Sequence, residues 1–333
     1  MRCLVAVLLA GSVFLHGNSD AKAYNVFGPF PWDETTDYYL KWGDIFSPGS
    51  PGGTITWSLM PDGTTIDPSF TDPNISGTSN LSTILNGLGS EAALETIERV
   101  FDRWSDAANI YFEQVDDGGQ PFAGANSSAP THGHIRIGAF AIDGTVGGVG
   151  YAPPPNGGPL EGDVLLNLIN TFFFDPGDEG DLIQIFNDFE SLLMHEVGHA
   201  LGLAHSDVCS VMSIDFDCFK FVNRELDADD LAGIQFLYGP ALQADFDRNH
   251  LVSTGDLIAW QAGYGTLSGA IHQTGDADDD QAVTGSDFVL WQRELGSGEL
   301  LATGNAVQTP EPSTLLLLMV SLASFASRSM RAT

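Results

Sequence analysis

Basic residues are scarce in this 333-residue sequence: 12 Lys and Arg stand against 44 Asp and Glu, a formal net charge of −32. That shortage excludes nucleic acid as a partner, because a phosphate backbone is gripped by cationic side chains that displace its counterions. Long apolar runs are missing too. The hydrophobic stretches at residues 4–15 and 315–325 both fall short of the roughly 20 residues that a membrane span needs. Cysteine occurs only three times, as Cys3, Cys209 and Cys218. What the chain does have is 43% hydrophobic residues, with 10% aromatics, enough for a true core, so wholesale disorder is excluded. Its acidity favours solubility and divalent cations, and its length suggests two or three domains.

Both ends read as addresses. Arg2, the apolar run at 4–15 and the small-x-small site Ala21-Lys22-Ala23 predict a signal peptide over residues 1–23. Cys3 leaves with it, and Cys209 and Cys218 remain in an oxidising setting where pairing is left open by sequence. At the other end, Pro310-Glu311-Pro312-Ser313 precedes the run at 315–325, followed by Arg328 and Arg331. This tail, within a linker and sorting segment at 301–333, resembles the PEP-CTERM sorting signals of exported Gram-negative bacterial proteins. The resemblance implies a membrane sorting enzyme as partner, and a secreted or cell-surface location.

Between the ends, the chain divides at Pro240. Upstream, alternating apolar runs at 54–60, 134–140 and 162–168 predict strands. Helical spacing of Ala92, Leu94, Ile97, Val100, Phe101 and Trp104 predicts a helix over 91–108 with Ser90 as N-cap. Further helices are expected at 189–201 and 228–238, the last starting near Asp227 or Asp229. Strands and helices without regular alternation indicate an α+β fold for residues 24–240, with a twisted mixed sheet.

Residues 195–206 carry the chemistry: His195-Glu196-Val197-Gly198-His199-Ala200-Leu201-Gly202-Leu203-Ala204-His205-Ser206. His195 and His199 share one face of a helix and can bind one Zn²⁺. Gly202 can end that helix in the left-handed region, so that the chain returns and presents His205 as third ligand. Three imidazoles leave a fourth position open, as a catalytic zinc requires. Glu196, beside the first ligand, is placed to act as general base.

The motif H-E-x-x-H-x-x-G-x-x-H with Ser206 after it resembles the zinc site of metzincins, the matrixin branch in particular. Met212, within Ser210-Val211-Met212-Ser213, then stands as the structural Met-turn. The run from Asp229 to Pro240 is similar to the C-terminal helix of matrixins, and Trp104-Ser105 with Ile110-Tyr111-Phe112 to their first helix and next strand. The resemblance implies a zinc metalloendopeptidase acting on protein or peptide substrates. Several departures carry expectations of their own. Ile214 replaces the tyrosine of astacin-like sites. Tyr151, Leu165 and Asn167 stand where animal matrixins hold a structural zinc, and His132 and His134 read as surface residues, so loss of that zinc is expected. The stretch from Tyr24 to about Lys41, between the signal and the matrixin-like sequence, contains no cysteine to gate the site, and a Phe-rich stretch at 214–222 suggests an apolar pocket wall.

Downstream, Asp245-Phe246-Asp247-Arg248-Asn249 is repeated 31 residues later as Asp276-Ala277-Asp278-Asp279-Asp280, and Trp260-Gln261 as Trp291-Gln292 at the same offset. In each copy, oxygen donors fall at positions 1, 3, 5, 9 and 12 of an EF-hand-like loop. They are Asp245, Asp247, Asn249, Ser253 and Asp256 in the first, and Asp276, Asp278, Asp280, Thr284 and Asp287 in the second. Helices are expected after each, at 256–262 and 287–295. Aspartate at position 12 in two loop–helix units makes residues 241–300 resemble a small α-helical dockerin module. The resemblance implies two Ca²⁺ ions and a cohesin-like partner, although a structural spacer is the favoured role. Position 6, usually Gly, is His250 and Gln281, which demands strained backbone there. The function expected is an exported zinc endopeptidase. The alternative is a calcium-dependent adhesion or assembly protein on an inactive metzincin-like scaffold, and the intact Glu196 favours the enzyme.

Overall fold

The alternating residues of Gly53–Leu59 (β3) bury Ile55 and Trp57 beneath a long amphipathic helix. A computed structural model describes residues 24–124, 131–144, 146–156, 159–174, 188–214 and 224–298. The chain divides into two compact units, 1–300 and 301–333, and only the first contains described residues. Both the expected signal peptide and the sorting tail lie outside them.

Two short strands, Phe30–Pro31 (β1) and Asp37–Tyr38 (β2), form an antiparallel pair ahead of β3. After β3 come Ile75–Ser76 (β4), the helices Leu81–Leu88 (α1) and Ser90–Ala107 (α2), then Ile110–Gln114 (β5), Ile135–Ile142 (β6), Gly148–Gly150 (β7) and Val164–Asn167 (β8). The main sheet runs β5-β3-β6-β8-β7, with β4 pairing β6. Pairs β3–β5, β3–β6 and β6–β8 are parallel, whereas β7 runs antiparallel to β8. This mixed sheet with helices fits a metzincin-like α+β fold. On one face lies α2, whose Ala93, Ile97, Val100, Phe101 and Trp104 are buried, with Phe101 stacked on Trp57 at 4.8 Å.

The structure corrects the start of α2. Its N-cap is Gly89, at φ +91°, and Ser90 is the first helical residue, its Oγ donating to Asn86 Oδ1 at 2.7 Å. An unanticipated helix, α1, runs into Gly89 and fixes the turn, so the serine is not free to cap. Residues Phe189–Ala200 (α3) and Ala228–Tyr238 (α4) complete this region. Asp188 Oδ1 caps α3 by accepting the Ser191 N–H at 2.8 Å, and Glu190 in its first turn pairs with Arg99 of α2 at 2.9 Å.

Beyond Pro240, helices Thr254–Gly263 (α5) and Gly285–Glu294 (α6) enclose a small core of Leu242, Ala244, Phe246, Val252, Ala277 and Trp291. Each begins two residues before its expected first residue, capped by Ser253 or Thr284 in a capping box with Asp256 or Asp287. Among the described residues no helix is long and apolar enough to cross a membrane.

Candidate metal centre

Helix α3 ends by a Schellman arrangement: the N–H of Gly202 reaches the His199 carbonyl at 3.0 Å, and that of Leu203 the Gly198 carbonyl at 3.0 Å. Gly202 adopts φ +102°, and a Cβ there would overlap the Leu40 carbonyl oxygen. The reversal brings His205 back against the helix. His195, His199 and His205 each offer a nitrogen within 4.8 Å of the others, and the Nε2 atoms of His199 and His205 are 3.0 Å apart.

Outer contacts aim the rings. His195 Nδ1 donates to the Val211 carbonyl and His199 Nδ1 to the Leu203 carbonyl, both at 2.8 Å. A proton on each Nδ1 leaves the Nε2 lone pair facing the cluster, which is the ligand tautomer. Burial holds the pKa of His195 below its ordinary value, His199 well below, and His205 down to about 4. Neutral nitrogens converging at such spacing suit one ion bound about 2.0–2.1 Å from each.

Glu196 is buried beside them, and burial pushes its carboxyl up to about 8, opposed by a hydrogen bond from the Gly150 amide. A divalent ion at the histidines would favour its ionised form. The edge strand β7 lies directly on α3; a Cβ on Gly150 would overlap the Glu196 carbonyl oxygen, so only glycine allows this approach.

Met212 is buried, its sulfur against Gly198 on the underside of the helix. Its turn hangs from α4. Asp230 accepts the N–H of Val211 at 2.9 Å and of Met212 at 3.2 Å, and Asp229 accepts the Ser206 hydroxyl at 2.7 Å. Sequence reasoning missed these supports, as it missed two others. Tyr238 Oη donates to the Leu201 carbonyl at 2.8 Å and Trp42 Nε1 to the Ala200 carbonyl at 2.9 Å, satisfying acceptors the helix end leaves open. The segment before the first strand also joins in: Phe27 N–H donates to the Gly202 carbonyl at 2.9 Å and Asn25 Nδ2 to the His205 carbonyl at 2.8 Å. The paired acids Asp229 and Asp230 in the first turn of α4 were the one local signal available.

The remaining expectations fall unevenly. Cys209 is disulfide-bonded, while Cys3, Cys218 and most of the Phe-rich stretch lie outside the described residues. Asn167 is a fully buried strut, bonding both backbone groups of Ile142 and the Val146 carbonyl. His134 Nδ1 accepts the Thr56 N–H at 3.0 Å. A cavity of about 540 Å³ shares no lining residue with the histidine cluster.

In the repeat, Asp245, Asp247 and Asp256 bring oxygens within 4.8 Å of one another, as do Asp276, Asp278 and Asp287. Asp280 stands outside its cluster because its Oδ1 turns back to accept the Ala282 N–H at 2.8 Å. Asn249 makes the same turn with Leu251 at 2.9 Å. Ser253 and Thr284 are engaged in capping. Asp276 Oδ1 is buried with no hydrogen-bond partner, and hard oxygen donors of this kind suit Ca²⁺. His250 and Gln281 take φ of +68° and +67°.

Two segments match known families: residues 78–239 the matrixin family and residues 308–332 the PEP-CTERM protein-sorting motif. Among curated relatives, Metalloendoproteinase 1-MMP of Arabidopsis thaliana is 31% identical over 47% of this chain and 40% of its own length. Karilysin of Tannerella forsythia is 28% identical over 65% and 44%, and Matrix metalloproteinase-16 of Homo sapiens 28% over 49% and 26%. The chain thus spans less than half the length of these relatives. The sorting motif indicates export to the cell surface. Residues 78–239 are thus similar to a matrixin domain, and residues 308–332 to a PEP-CTERM sorting motif.

Proposed function

We propose that this protein is an exported zinc-dependent endopeptidase, with His195, His199 and His205 as ligands and Glu196 as general base. The observation that carries this reading is the convergence of three neutral imidazoles beside a buried carboxylate. Zinc bound there supplies Lewis-acid polarisation of the scissile carbonyl and of the attacking water. Glu196, oriented by the Gly150 amide, takes the proton from that water and delivers it to the leaving amine. Gly202 and Met212 are structural: one turns the chain, the other floors the site.

The same reading assigns residues 24–240 to the catalytic domain, 241–300 to a dockerin-like module holding two Ca²⁺ ions, and 301–333 to a tail handled by a membrane sorting enzyme. Calcium would be held by Asp245, Asp247, Asn249, Ser253 and Asp256, and by Asp276, Asp278, Asp280, Thr284 and Asp287, once the capping and turn contacts of Asn249, Ser253, Asp280 and Thr284 yield. The test is cleavage of denatured casein by purified protein. Activity that vanishes with a zinc chelator and returns with added zinc supports the assignment; a zinc-loaded protein that cleaves nothing favours an inactive adhesion scaffold.

A further inference from the structure

The two repeat loops share one sequence pattern but differ in what surrounds them. In the first, Asp245 is fully buried and its Oδ2 accepts a 2.6 Å hydrogen bond from Tyr111 Oη. Tyr111 belongs to β5, the outer strand of the main sheet, paired in register with Thr54 of β3. The His250 ring lies against Tyr111 with centroids 4.7 Å apart and planes tilted by 33°, and its Nδ1 bonds Asn109 Oδ1 at 2.6 Å. The Arg248 guanidinium lies 5.5 Å from the centroid of the same tyrosine. Asn109 is itself fixed by backbone hydrogen bonds to Gly52 and Gly239.

These contacts explain the residue at position 6. A left-handed backbone disfavours any side chain with a Cβ, so histidine at φ +68° needs compensation, and it has one at the sheet edge. Gln281 carries the same backbone strain in the second loop, where its N–H reaches Asp276 Oδ2 at 2.9 Å, as that of His250 reaches Asp245 Oδ2 at 2.7 Å, and its carbonyl accepts the Ala270 N–H at 2.9 Å.

We propose that the first loop is a clasp docking the repeat onto the matrixin domain, through which bound calcium stabilises the sheet edge at β5. The ion would be held by Asp245, the carboxylate that Tyr111 grips, so fixing that carboxylate fixes the tyrosine. The proposal rests on the calcium reading above, and it replaces a passive spacer with a coupled element.

Hydrogen exchange of β5 in the full chain, with calcium chloride or a calcium chelator, tests it beside calorimetric titration of calcium. In the wild-type chain, calcium should slow exchange in β5 about tenfold or more. The pair Tyr111→Phe and His250→Gly should abolish that slowing while calcium still binds, since glycine suits the loop backbone. Asp287→Asn, in the second loop, should leave it intact. Slowing that survives the paired substitution overturns the clasp. So does wild-type β5 that ignores calcium although calcium binds, an outcome that leaves the calcium reading standing. A chain that binds no calcium overturns both.

Discussion

The histidine cluster and the acidic loops are prepared for metal to different degrees. At the cluster, two ring nitrogens already donate to carbonyls at 2.8 Å, and the reversal at Gly202 is hydrogen-bonded on its own account. The site's shape is therefore set by the protein, and zinc bound there would add chemistry. In the loops, Asp256 and Asp287 also serve as capping-box acids for α5 and α6, while Asn249 and Asp280 turn back onto the chain. In the second loop the oxygens gather around a buried Asp276 atom without a partner. There the ion would complete a structure that is otherwise crowded with like charge.

That contrast can be broken at several points. The largest effect is expected from His199→Ala, which removes the most buried ligand. Zinc stoichiometry measured by elemental analysis should fall from one to zero and peptidase activity to background, with helical content retained. Next, the two metals should part company under chelation. Removing calcium should cost much of the α5 and α6 helicity by circular dichroism, since a module of about sixty residues has a thin core. Removing zinc should leave the spectrum unchanged. Equal losses from both treatments would erase the distinction.

A smaller effect concerns acid. His205 has its pKa lowered from 6.5 to about 4 by burial, and His195 and His199 shift the same way. The unfolded chain therefore takes up more protons between about pH 6.5 and 4, and folding is favoured above that window. The zinc-free protein should lose stability as pH falls through it, by about 1.4 kcal/mol per pH unit for each proton involved. Denaturant melts at pH 7, 6 and 5 would reveal it, and a midpoint flat across that range would contradict the buried neutral rings.

What sequence made legible was local. The spacing of His195, Glu196, His199, Gly202 and His205 lies within a dozen residues, and helix periodicity with one glycine dictates how such a segment folds. The 31-residue repeat was equally plain. What escaped was held by long-range contacts: Tyr238 and Trp42 reach the end of α3 across 37 and 158 positions. Tyr111 reaches Asp245 across 134. Ser90 was misplaced for a related reason, because the preceding α1 decides where its helix begins. Position 6 of the first loop looked like a defect in isolation and acquires a purpose only beside Asn109.

In the proposed enzyme, Glu196 moves the proton while the histidines hold the metal. Zinc-loaded Glu196→Ala, assayed beside the wild-type chain on denatured casein, tests this most directly. One zinc per chain is expected in both proteins, with a loss of about 10²–10⁴-fold in rate for the variant. Peptidase activity near the wild-type rate in the metal-loaded variant would contradict that role for Glu196.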